Sequence, residues 1–222
     1  RGTWRRRVLG AGRAGRVGVG SELGGVVGVL VVGGVRRRNA PKQKERGMSE
    51  EIELSREWVM PSQWTFSMKP VQQCLEKYEV GVGWVDPFAG LHSPAELTND
   101  CEADRNAVST MDALEFLKTL RADSYNGVLF DPPYSVEQCL RCYTPKHKGT
   151  AGRAEYWAKC KDEIARVLKP EGISISFGWD STGMGKVRNF YIVEVILLCH
   201  GACHNDTIIT IEKKKARPVP HD

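Results

Sequence analysis

The sequence predicts an α/β domain built on a mostly parallel sheet that closes with one antiparallel hairpin. Three stretches carry this expectation. Gly83-Trp84-Val85 is a short apolar strand that runs into Asp86-Pro87-Phe88-Ala89-Gly90, an acid followed by a glycine turn. Val128-Leu129-Phe130 is a second apolar strand, and it stops abruptly at Asp131-Pro132-Pro133-Tyr134. Tyr191 to Leu198 and Thr207 to Ile211, rich in β-branched and aliphatic residues, flank His200 to Asp206 and read as the closing antiparallel pair. Strands that alternate with helical patterns imply parallel pairing for the rest.

The 222 residues suffice for one domain with a full core. The net charge of +5 is unevenly placed: residues 1–47 hold 12 Lys/Arg against two acids, whereas residues 48–222 carry 20 basic and 25 acidic side chains. That leading segment also holds 12 of the 23 glycines. Its composition cannot bury enough apolar surface to offset chain entropy, so it is expected to be a disordered basic extension. Met48 reads as the native start, and the alternative is a basic arm that binds phosphates non-specifically. Gly10-Ala11-Gly12-Arg13-Ala14-Gly15 matches G-x-G-x-x-G, yet it lacks the preceding strand and following helix that give the pattern meaning. The apolar run Val26 to Val35 is too short to span a bilayer and lacks a convincing cleavage site, so a cytoplasmic protein is expected. The seven cysteines are odd in number and irregular in spacing, which favours reduced thiols over a disulfide framework. Cys139-x-x-Cys142 lacks a second pair at zinc-site spacing, and no metal site is expected.

From Met48 onward the elements follow in order. Residues 48–65 read as a linker, acidic from Glu50 to Glu57. Val71, Cys74, Leu75 and Tyr78 repeat at helical spacing behind Pro70, a natural helix-start residue. After the glycine turn at Gly90 only 14 positions separate Asp86 from Asp100, where nucleotide-binding units usually need about 20. The first crossover helix must therefore be short or absent, with strand two at Ala95 to Asn99. Ala107 to Ser109 reads as a third strand. Asp112 is a helix N-cap with Glu115 three residues on. Ser135 to Arg153 contains Arg141, Lys146, His147, Lys148 and Arg153, and is either a loop contacting phosphates or a solvated surface loop. Trp157, Cys160, Ile164 and Val167 or Leu168 share a helical face, and Lys169-Pro170-Glu171-Gly172 turns the chain into strand Ile173 to Phe177. Residues 213–222 read as a frayed tail.

The corner at Asp131 has a chemistry of its own. Prolines fix φ and lack amide protons, so a stiff backbone presents carbonyl acceptors beside a carboxylate and an aromatic ring. That set suits a planar base with an exocyclic amine. Asp131-Pro132-Pro133-Tyr134 resembles the catalytic tetrapeptide of the amino-methyltransferases, which methylate N6 of adenine or N4 of cytosine from S-adenosylmethionine. Asp86-Pro87-Phe88-Ala89-Gly90 is similar to the cofactor loop of the same family, and Leu168-Lys169-Pro170-Glu171-Gly172 with the following strand resembles its fifth unit.

The resemblance covers about two-thirds of the chain, residues 66–212, and implies a Rossmann-like class I methyltransferase domain with a seven-stranded sheet. It implies that Phe66 packs on the cofactor, that Lys69 or its helix end faces the cofactor's carboxylate, that Asp100 meets the ribose, and that Asp112 and Ala113 receive the adenine. A simple N-terminal helix and a plain cap are the alternatives for Lys69 and Asp112. It further implies methyl transfer from S-adenosylmethionine to N6 of a flipped adenine in DNA, since D-P-P-Y is commoner among adenine enzymes. The cytosine-N4, RNA and non-catalytic cofactor-binding readings stay open. Little chain is left for target recognition, so a short site or a separate specificity or nuclease partner is expected, with monomer or homodimer undecided.

Overall fold

A computed structural model of the chain describes residues 51–135, 137–138, 154–201 and 204–216. The basic extension, most of the Ser135 to Arg153 segment with its five cations, Cys139, Cys142, Cys203 and the last six residues lie outside the described set. Among the described residues seven strands form one sheet: β1 (Glu53–Trp58), β2 (Trp84–Asp86), β3 (Leu97–Thr98), β4 (Tyr125–Phe130), β5 (Leu168–Gly178), β6 (Phe190–Cys199) and β7 (Thr207–Lys214). Their spatial order is β1-β6-β7-β5-β4-β2-β3. Only β7 runs against its neighbours, β5 and β6; the other four pairings are parallel.

Pleat alternation sorts the core onto the two faces of this sheet. Trp84 and Leu129 point to the face covered by helix α1 (Lys69–Lys77), where they meet Val71, Cys74 and Leu75. Val85, Val128 and Phe130 point to the opposite face. There helix α2 (Ala113–Thr119) contributes Phe116 and Leu117, and helix α3 (Ala154–Val167) contributes Cys160, Ile164 and Val167. Gly127 lets the Trp84 ring lie flat on β4, because a Cβ there would sit 2.4 Å from ring carbons. Lys77 ties α1 to the sheet edge by bonding both Glu53 and the buried Glu194 at 2.8 Å, and the Tyr78 hydroxyl adds 2.6 Å to Glu194.

Seven strands are present, but not the seven expected. The third strand, Ala107 to Ser109, is reduced to a single parallel bridge between Asn99 and Ser109. The two-residue β3 is too short to template more. Its place in the count is taken by β1, inside the segment read as a linker. β1 pairs in parallel with β6 from Glu53 against Glu194 to Trp58 against Cys199. The C-terminal boundary also moves: β7 extends to Lys214, whose ammonium bonds Asp123 and the carbonyls of Ala165 and Leu168. Among the described residues no helix is long and apolar enough to cross a membrane.

Candidate active site

All parallel strands deliver their carboxyl ends to one edge of the sheet, the place where open α/β sheets bind ligands. A cavity of about 840 Å³ lies there. Its floor is the turn after β2 and the corner after β4; Asp100 after β3, Trp179 after β5 and His200 after β6 complete its sides. The segment Pro61 to Met68, which follows β1, closes over it.

The turn after β2 is held without a helix. Asp86 is fully buried, and its carboxylate accepts from the Phe88 amide at 2.9 Å and the Ser93 hydroxyl at 2.6 Å, pinning both ends of the shortened loop. Loss of water pushes its pKa up to about 7, against those two hydrogen bonds. Gly90 sits at φ +55°, with no atom nearer than 3.9 Å to where a Cβ would be. Its amide donates to Asp100 Oδ2 at 3.1 Å, while Glu102 N donates to Oδ1 at 2.9 Å. Burial raises the Asp100 pKa, partly countered by those amides and by Arg105. Asn99 stitches the neighbourhood together: its amide donates to the carbonyls of Pro87 and Met111, and its carbonyl accepts from Met111 N.

In the absence of a first crossover helix, an aromatic stack covers this half of the cavity. The Trp64 ring stands edge-on to His92 at 5.4 Å, and the Arg105 guanidinium lies 5.7 Å from its centroid. All three residues line the cavity.

The other half is the Asp131 corner. The Tyr134 hydroxyl donates to Asp131 Oδ1 at 2.7 Å, and the Tyr134 amide is held by Gln138 Oε1 at 2.7 Å. Desolvation raises the Asp131 pKa; hydrogen bonds from Thr65 and Tyr134 pull it back. The Tyr134 phenol is pushed well above its ordinary range by burial and by the Asp131 charge. Trp179 meets the Tyr134 ring edge-on at 5.9 Å. His200 locks the wall behind: its ring nitrogens sit 3.0 Å from the Val59 carbonyl and 3.0 Å from the Thr207 hydroxyl.

The cavity thus brings together Phe66, Phe88, Ala89, Gly90, Asp100 and the whole tetrapeptide Asp131, Pro132, Pro133 and Tyr134. It leaves out Lys69, Asp86, Pro87, Asp112 and Ala113. Asp112 is engaged elsewhere: Oδ1 caps α2 through the Leu114 and Glu115 amides, and Oδ2 accepts the Tyr156 hydroxyl at 2.8 Å. Thr65 and Arg105 line the cavity without a local sequence signal, because each is brought in by packing of distant segments; Gln138 arrives locally, four residues past Tyr134, and His200 comes with the connection between the last two strands. Among the described residues no group of three or more His, Cys, Asp or Glu side chains could hold a metal.

No family model and no curated protein matches this chain. Solved structures do. 1,6-Didemethyltoxoflavin-N1-methyltransferase of Burkholderia thailandensis is 9% identical, with 66% of this chain and 77% of that chain covered at a TM-score of 0.47. TrmN of Thermus thermophilus is 12% identical over 66% of this chain and 49% of its own length, also at 0.47. The N-methyltransferase NodS of Bradyrhizobium japonicum is 8% identical over 66% of this chain and 96% of that chain, at 0.44. The chain thus spans about half the length of the Thermus protein. With β7 inserted antiparallel between β5 and β6, and β4, β2 and β3 continuing the sheet beyond β5, the described residues form a mixed seven-stranded Rossmann-like α/β fold.

Proposed function

We propose that the chain methylates the exocyclic N6 amine of adenine in DNA, with S-adenosylmethionine as methyl donor. The observation that carries this reading is the continuity of one cavity between two unlike halves: the Phe88 to Gly90 turn with Asp100, and the Asp131 to Tyr134 corner. The first half fits the cofactor. Gly90 brings bare backbone to the cavity wall under the Trp64 ring, and Asp100 keeps a spare lone pair on each oxygen for a ribose hydroxyl beyond the amides it already accepts. A volume near 840 Å³ falls in the range of about 300–1,000 Å³ common for small-molecule sites. Bound S-adenosylmethionine supplies a methyl group on a positively charged sulfur.

The protein's part is positioning and charge. The amine's lone pair is delocalised into its ring, so the nitrogen is a weak nucleophile. A hydrogen bond from that amine to Asp131 favours a more tetrahedral nitrogen and aims it, and Asp131 is the nearest base for the proton shed after transfer. Tyr134 and Trp179 offer aromatic surface to a base taken out of its stack. The Trp64 to Phe66 segment excludes water from the reacting pair. The test is mass spectrometry of nucleosides from DNA and RNA incubated with the protein and isotope-labelled cofactor. Label in N6-methyladenine from DNA is expected; no labelled nucleoside in either polymer sinks the reading, and label in cytosine or RNA redirects it.

A further inference from the structure

We infer that Trp58 is a stacking platform for a nucleobase some way along the strand from the target, so that the substrate is a single DNA strand laid along the carboxyl edge of the sheet. The inference rests on the proposed methyl transfer to DNA and extends it to the form of the polymer.

Trp58 ends β1 with 67% of its surface exposed, and Met60 beside it is 78% exposed. The indole is nonetheless fixed. Arg56 donates from Nε to Cys199 Sγ at 3.1 Å, and its guanidinium lies 4.9 Å from the Trp58 ring centroid, so one side of the indole is already backed by a cation. The chain then continues as ladder, with Val59 N on the Cys199 carbonyl at 3.1 Å and the Val59 carbonyl against the His200 ring. His200 lines the cavity. β1 is parallel to β6, so Trp58 lies on the same edge as Asp131 and Trp179. An aromatic plane with a guanidinium beside it, open to solvent, is the arrangement that takes bases of single strands without reading their sequence.

Spacing sets the reach. Trp58 and Asp131 stand on strands four places apart, roughly 19 Å at the usual inter-strand distance. That corresponds to about six nucleotides of a stacked strand and fewer of a splayed one. A second copy of the chain fits this edge poorly. Antiparallel pairing centred on Ser55 would set Glu53 against Glu57, and pairing centred on Arg56 would oppose two guanidiniums.

The test is fluorescence anisotropy with a labelled single-stranded 16-mer oligodeoxynucleotide carrying one adenine, alone and with a single abasic site moved stepwise away from that adenine. Trp58→Ala is expected to weaken binding roughly tenfold to a hundredfold, and Trp58→Tyr to keep most of the affinity. At one abasic position, within about six nucleotides of the adenine, the wild-type protein should fall to the Trp58→Ala level and the variant should lose nothing more. Equal affinity of wild type and Trp58→Ala, a penalty independent of abasic position, or a wild-type dimer that Trp58→Ala dissociates in sedimentation would each overturn the platform. If the wild-type protein labels DNA while these results are negative, the platform alone falls; if it neither binds nor labels DNA, the methyl-transfer reading falls with it.

Discussion

The Tyr134 hydroxyl donates to Asp131 Oδ1 at 2.7 Å, so the acid at the corner is held by the aromatic residue of its own tetrapeptide. Burial raises the Asp131 pKa, while hydrogen bonds from Thr65 and Tyr134 lower it. Tyr134→Phe keeps the ring and removes one of those donors. Protonation removes the charge that makes Asp131 a strong acceptor and its capacity to take the amine's proton, so activity is lost as pH falls through the Asp131 pKa. The acid limb of kcat/KM is expected at higher pH in Tyr134→Phe than in the wild type. A limb that stays in place would mean that Asp131 is not the titrating acceptor.

Asp131→Asn separates chemistry from binding. The amide retains shape and one acceptor oxygen but removes the negative charge and the base. Methyl transfer is expected to fall on the order of 10²–10³-fold or more. Cofactor affinity, read by calorimetry, should stay within about twofold, since the Gly90 and Asp100 half is untouched. A matching loss of cofactor affinity would show that the corner acts on the cofactor instead.

These outcomes concern the parts of the molecule that were legible from residue order. The turn at Asp86 and the corner at Asp131 are strand-to-loop transitions, written in consecutive residues, and both are where the sequence puts them. β1 was not legible: its residues Glu53 to Trp58 show no period-2 pattern, with Ser55, Arg56 and Glu57 consecutive and Leu54 and Trp58 exposed, because an edge strand buries little. Asp112 shows a second limit. Its cap is local and readable, but its partner Tyr156 lies 44 positions away and only packing of α2 on α3 brings it in. His200 likewise acts through Val59, 141 positions distant.

Asp86 makes stability depend on pH. Its folded pKa is raised from 3.8 to about 7, so the folded state holds the proton more tightly than the unfolded chain does. Its stabilising contribution is fully present below about pH 4 and is lost as pH rises through about 7, by at most roughly 4 kcal/mol. Asp86→Asn removes the titration and keeps an acceptor for the Phe88 amide. Wild-type Tm should decline from pH 4 to pH 8, and decline less in the variant. Some slope remains, because burial also raises the pKa of Asp100, Asp131 and Glu212. Parallel Tm profiles for the two proteins would remove Asp86 from the account.

Gly127 is held to glycine by its neighbour across the ladder. It pairs with Trp84, and an added methyl would lie 2.4 Å from the indole in a fully buried layer. Gly127→Ala is expected to cost about 1–3 kcal/mol, seen as a lower urea midpoint at unchanged slope. An unchanged midpoint would mean that β2 and β4 separate freely there.

Asp112 tests whether its carboxylate is structural or cofactor-facing. Both oxygens already have partners within this chain, two amides of α2 on Oδ1 and Tyr156 on Oδ2, and the residue does not line the cavity. Asp112→Ala removes the cap and leaves the Tyr156 hydroxyl without its acceptor, a cost of about 1–3 kcal/mol. Cofactor affinity should hold within about twofold once the protein is kept below its lowered Tm. Tyr156→Phe supplies the control, since it frees Oδ2 while preserving the cap. If Asp112→Ala weakened the cofactor tenfold and Tyr156→Phe strengthened it, the carboxylate would be exchanging the tyrosine for the adenine amine, and the bond between α2 and α3 would be the resting state of a binding residue.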